Sequence, residues 1–145
     1  MRVILSAALA GALSLAACAT PPKQIAFEKS RSYSLSKDAA WERLLGFFTS
    51  NNIQIKTIEK DSGVIYAERT LSDASMADCG QNALAGEIGR PVTLNVFVRQ
   101  VGEKTDVTVN TDFKVIRIFD GATWSDQCHS RGVLERSVLD HVAAG

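Results

Sequence analysis

Pro91-Val92-Thr93-Leu94-Asn95-Val96-Phe97-Val98-Arg99 leads into Gly102-Glu103-Lys104 and back out through Val107, Val109, Thr111, Phe113 and Val115. Val92, Leu94, Val96 and Val98 share one parity, and the returning run keeps its apolar residues on one parity as well. A period of two places alternate side chains on opposite faces of a strand, so each run predicts a half-buried strand. The glycine-bearing turn between them predicts a long antiparallel hairpin. Pro91 opens the first strand, where a missing N–H is tolerated. Val115 to Phe119 extends the second strand or bends at its end.

Working outward toward the N-terminus, Val64–Thr70 and Ile53–Glu59 alternate in the same way across Lys60-Asp61-Ser62-Gly63. Gly63 can take the positive φ that such a turn uses. This predicts a second antiparallel hairpin. Before it, Trp41, Leu44, Leu45 and Phe48 fall at i, i+3, i+4 and i+7, one apolar face of a helix. Ser36 is the expected N-cap, Asp38 and Glu42 favour the positive end of the dipole, and Asn51-Asn52 is the expected stop. Arg31–Leu35 reads as a first strand.

Residues 71–90 break the alternation with Ser, Asp, Gly and Asn and read as a long polar loop carrying Cys79. Beyond the long hairpin, Asp120-Gly121-Ala122 reads as the start of a second loop carrying Trp124, Asp126, Cys128 and His129. Gly132–Ala143 is predicted helical, with Leu134, Val138, His141 and Val142 on the apolar face and Glu135, Arg136 and Asp140 largely elsewhere. The expectation is one α+β domain over 25–145: an antiparallel sheet of about five strands packed by two helices, in the order strand, helix, hairpin, hairpin, helix.

The first residues carry a different kind of signal. Arg2 supplies a positive start, Val3 to Ala17 is apolar or small, and Leu15-Ala16-Ala17-Cys18 follows. The run is shorter than the roughly 20 residues of a membrane-spanning helix. Charge, apolar run and small residues are the parts of a secretory signal. The cysteine after Ala17 makes the quartet resemble a bacterial lipobox, with cleavage between Ala17 and Cys18 and lipidation of Cys18. An ordinary secretory signal with a chance cysteine is the other reading. Residues 1–17 are therefore read as a lipoprotein signal peptide and 18–24 as lipidated N-terminus and tether. Each buried acyl CH₂ contributes about 0.8 kcal/mol, so two or more chains such as palmitate anchor stably. In Gram-negative lipoproteins an Asp after the cysteine implies inner-membrane retention. Ala19 implies the outer membrane, with the domain facing the periplasm. Thr20-Pro21-Pro22-Lys23-Gln24 reads as a short, stiff spacer.

Composition narrows the partners. The chain of 145 residues holds 16 basic and 16 acidic side chains. Loss of 1–17 removes one base, Arg2, which leaves 15 against 16 and a formal charge of −1. That balance argues against a nucleic-acid partner, which needs a basic footprint. It also supplies no polybasic segment for anionic lipid.

With Cys18 assigned to the anchor, Cys79 and Cys128 remain. An even pair in an exported chain implies a disulfide, here between the two irregular loops. Two unpaired buried thiols are the alternative. A metal or hydrolytic site from Asp78, Cys79, Asp126, Cys128 and His129 is a further reading. It matches no knuckle spacing, and a disulfide would consume its thiolates. No GxSxG or phosphate-loop pattern occurs. No catalytic residue, metal ligand or cofactor is assigned. His141 reads as a core or boundary histidine.

Ala40-Trp41-Glu42-Arg43-Leu44-Leu45, then Ile55, then Asp61-Ser62-Gly63-Val64-Ile65 is similar to the repeated domains of BamC-like outer-membrane lipoproteins. Cys128-His129-Ser130-Arg131-Gly132-Val133-Leu134-Glu135 resembles the closing segment of small proteobacterial lipoproteins. The resemblance covers about a third of the mature chain. It implies a helix-grip module that binds an envelope protein and does not catalyse. A single such domain, a short tether and the extra cysteine pair depart from the BamC pattern, so a barrel-assembly role does not carry over. The expected function is a non-enzymatic, lipid-anchored envelope module that binds a partner or supports assembly. The alternative is a small-molecule or lipid carrier, with a cavity between sheet and helix lined by Trp41, Phe48, Val96 and Phe113.

Overall fold

A computed structural model describes residues 19–71 and 74–145. Its spine is the 16-residue strand β9 (Lys104–Phe119), which is the returning arm of the predicted hairpin extended without a break. β8 (Pro91–Val101) pairs along its first two thirds, from Val92 opposite Phe113 to Val101 opposite Lys104. Gly102 and Glu103 alone close that turn, with Gly102 at φ +60° as a tight hairpin of this length requires. β4 (Val64–Thr70) pairs with β8, and β3 (Gln54–Glu59) with β4, so the second hairpin also forms. Gly63, at φ +72°, sits where a Cβ would lie 2.0 Å from the Val98 carbonyl oxygen.

The expectation of an α+β fold with about five strands is corrected. About half of the described residues are strand and about a fifth helix, and the main sheet is antiparallel with eight strands. The additional strands lie in the two segments read as loops. β10 (Ala122–Ser130) folds back on β9, with Ala122 opposite Phe119 and Cys128 opposite Phe113. Asp120 and Gly121 both have positive φ, +48° and +78°, the mirror-image turn that Asp-Gly favours. β10 was missed because much of it faces water, so no apolar alternation marks it. β5 (Ala77–Asp78) pairs with the end of β10, and β7 (Gly86–Gly89) with the end of β9. Strands of two to four residues are too short to show a period. The strand expected at Arg31–Leu35 is β2 (Ser30–Tyr33), which starts and ends earlier and pairs with Thr105–Thr108 of β9.

Both helices pack on one face of this sheet and against each other. Helix α1 (Lys37–Ser50) begins as expected: the Ser36 hydroxyl accepts from the Ala39 N–H at 3.2 Å. It ends with Asn52 at φ +52°, while the Ile53 and Asn52 N–H groups reach back to the Phe48 and Thr49 carbonyls. Helix α2 (Val133–Ala144) starts at Gly132, φ +72°, where a Cβ would collide with the Phe27 ring at 2.5 Å. Leu44, Phe48, Leu94, Val96, Val109, Phe113, Val138 and Val142 belong to one continuous buried cluster between helices and sheet. Even-numbered residues of β9 and odd-numbered residues of β8 point to the opposite face, which no helix among the described residues covers.

Candidate functional site

The segment expected as a spacer is paired into the domain from its first described residue. β1 (Ala19–Thr20) forms a small antiparallel sheet with β6 (Gln81–Asn82), Ala19 opposite Asn82 and Thr20 opposite Gln81. Close approach is possible because residue 80 is glycine. At φ +63°, a Cβ there would lie 2.1 Å from the Thr20 carbonyl oxygen. Asp78 fixes the crossing from below. Its carboxylate accepts from the Gly80 N–H at 2.9 Å and the Lys23 N–H at 3.2 Å. Those two backbone donors hold its pKa below the ordinary carboxylate value. Cys18, the predicted lipidation residue, and Ala17, before the predicted cut, lie outside the described residues.

A covalent bond and a buried cation hold this junction to the sheet. Cys79 and Cys128 form a disulfide of 2.09 Å. Cys79 directly follows β5, whose Asp78 pairs with His129, and Cys128 lies within β10, so the bond joins the end of a short strand to a long one rather than two irregular loops. Arg117, 2 % exposed, lies beside it at the end of β9. Its Nε donates to Asp126 at 3.0 Å, one terminal nitrogen to Glu87 at 3.1 Å, and the other to the Cys79 carbonyl at 2.9 Å. The Trp124 indole N–H reaches the same Asp126 oxygen at 3.1 Å, and Arg90 pairs with Glu87. A buried guanidinium is tolerable only when its donors are matched in this way. Its effect is to tie the 79–87 segment, which carries the N-terminal crossing, to the spine of the sheet.

A second feature lies on the open sheet face. A depression of about 510 Å³ is bordered by Ser30, Ser32, Phe97, Arg99, Asp106 and Thr108. The Ser30 and Thr108 hydroxyls are 2.7 Å apart, Ser32 donates to Asp106, and Arg99 lies 3.7 Å from the same carboxylate. Phe97 is exposed among these polar groups. An exposed ring inside a satisfied polar rim can receive an apolar side chain and orient its neighbours.

The other predicted positions resolve as follows. Both thiols of the metal or nucleophile set are consumed by the disulfide, Asp126 is occupied by Arg117 and Trp124, and Asp78 by backbone. Among the described residues no group of three metal-ligating side chains converges. Trp41, Phe48, Val96 and Phe113, the lining of the alternative carrier cavity, are buried members of the packed core. His141 stacks edge-on to Phe47 at 5.5 Å between the helices, a boundary position. Sequence reasoning missed Glu135, which is fully buried and accepts from the Thr111 and Ser130 hydroxyls. The available signal was its place in the first turn of α2, where a carboxylate favours the dipole. No protein-family model and no curated protein sequence matches the chain.

Proposed function

We propose that the chain is a lipid-anchored envelope protein. Acyl groups on Cys18 hold it at the outer membrane, and the domain faces the periplasm and binds another envelope protein without catalysing a reaction. One observation carries the reading. Directly after the lipobox-like Leu15-Ala16-Ala17-Cys18, Ala19 and Thr20 are paired onto a segment stapled by the Cys79–Cys128 disulfide. A signal of this form fits an exported chain, and a disulfide persists in an oxidising compartment. The open sheet face around Phe97 is the surface offered to the partner.

The test is labelling with palmitate and membrane fractionation of the chain beside Cys18→Ser. The parent is expected to take up label and to travel with the outer membrane, and the variant to lose both properties. A Cys18→Ser chain that stays in the outer-membrane fraction overturns the anchor. A photoreactive residue in place of Phe97 is expected to capture one discrete envelope protein. Capture of none from the anchored chain overturns the partner-binding half.

A further inference from the structure

We infer that the end of the sheet formed by the β9–β10 turn and the 84–88 segment rests on the bilayer surface, with Leu84, Ile88, Phe119 and Trp124 as the contacting side chains. The inference deepens the anchoring proposal and rests on it. These four residues are 71, 58, 52 and 36 % exposed, four of the nine large exposed hydrophobic residues among those described.

The strand registers bring them to one end. Gly86 pairs with Ile118, which places the 84–85 segment beside Phe119. Ala122 pairs with Phe119 and Trp124 with Arg117, so Phe119 and Trp124 are diagonal neighbours on one face, about 7–8 Å apart. The N-terminal crossing arrives at the same place. Ala19 pairs with Asn82, and the Asn82 side chain accepts from the Leu84 N–H at 3.1 Å. Ala19, Thr20, Arg117 and Asp126 line one shared depression. Cys18 directly precedes Ala19 in the sequence. An acyl chain on Cys18 is attached next to a segment paired onto this end of the sheet, so the membrane it enters lies beside these exposed apolar residues.

The chemistry of the patch suits an interface. Trp and Phe partition to the boundary between headgroups and acyl chains. The indole N–H already has a protein partner in Asp126. Glu87 and Asp126 are matched by Arg117. The attraction is therefore apolar rather than electrostatic, and contact is expected to survive high salt.

The test uses the mature, lipidated protein in phosphatidylcholine vesicles, plain or brominated in the upper acyl chain. The two tryptophans separate cleanly, since Trp41 is 2 % exposed, and a Trp124→Phe chain supplies its background. Brominated lipid is expected roughly to halve the Trp124 emission, at low and high salt alike. Leu84→Ser combined with Phe119→Ser is expected to remove the quenching while flotation and the acylated mass are kept. A protein that floats, carries its acyl mass and emits equally in both vesicles overturns the inference and leaves anchoring intact. Quenching undiminished in the double variant overturns it as well. A chain that neither floats nor carries acyl mass overturns both.

Discussion

Gly80 shows how one residue decides where the N-terminal segment lies. Its φ of +63° and the Thr20 oxygen 2.1 Å from a would-be Cβ leave no room for a side chain. Gly80→Ala is expected to release the crossing, since the left-handed conformation alone costs about 1–2 kcal/mol for other residues. Hydrogen exchange checks this: the Lys23 amide, now donating to Asp78, should exchange faster, while β8 and β9 keep their protection. Tyr33 supplies a pH dependence. Its hydroxyl donates to the Leu139 carbonyl at 2.7 Å, and burial pushes its pKa up to about 12. The unfolded phenol titrates near 10. The fold therefore favours the neutral form, and that contribution is complete below about pH 10 and lost as the pH rises through 12. Tyr33→Phe should cost about 1 kcal/mol at neutral pH and flatten the fall in stability between those values, as read by denaturant melts. Tyr66 donates to Glu68 and is shifted the same way, so part of the slope should remain.

Among the elements, β9 and β10 separate what the sequence makes legible from what it hides. β8 and the first part of β9 bury one face and wet the other, so Val92, Leu94, Val96 and Val98 announce the strand. Cys128 is the only fully buried residue of β10, and the remainder lacks any apolar period. The Asp120-Gly121 dipeptide is the readable sign of the turn, but with no alternation after it the segment reads as a loop. The same reason accounts for β5, β6 and β7, whose pairing depends on partners distant in sequence. Glu135 misled for another reason: a charged residue on a helix is expected in water unless specific donors, here Thr111 and Ser130, wait inside. The turn gives the element-scale test. Gly121→Val is expected to lower stability by about 1–2 kcal/mol, and Gly121→Asn by much less, because Asn accepts positive φ more readily. Equal losses in thermal or denaturant melts would mean that the turn conformation is not what selects β10.

At the scale of the molecule, the two described helices cover one face of the sheet, while the end at the β9–β10 turn gathers the N-terminal crossing and four of the nine exposed large apolar residues among those described. No helix among the described residues is long and apolar enough to cross a membrane. The disulfide closes a loop of 49 residues of sequence separation, which the chain-entropy treatment values at on the order of 4 kcal/mol. That bond and the Arg117 network tie the segment that carries the N-terminal crossing to the sheet, as the proposed anchor would require. Its cysteine pair was legible from the count of three, whereas its geometry was not, because the register of β5 with β10 leaves no local trace. The most direct measurement is the intact mass of the mature protein taken from membranes. The chain is expected to begin at Cys18, to gain the mass of a diacylglyceryl group and an amide-linked acyl chain, and to lack two hydrogens at the Cys79–Cys128 bond. A chain that begins elsewhere, or carries Cys18 unmodified, would contradict the anchor on which the functional reading rests.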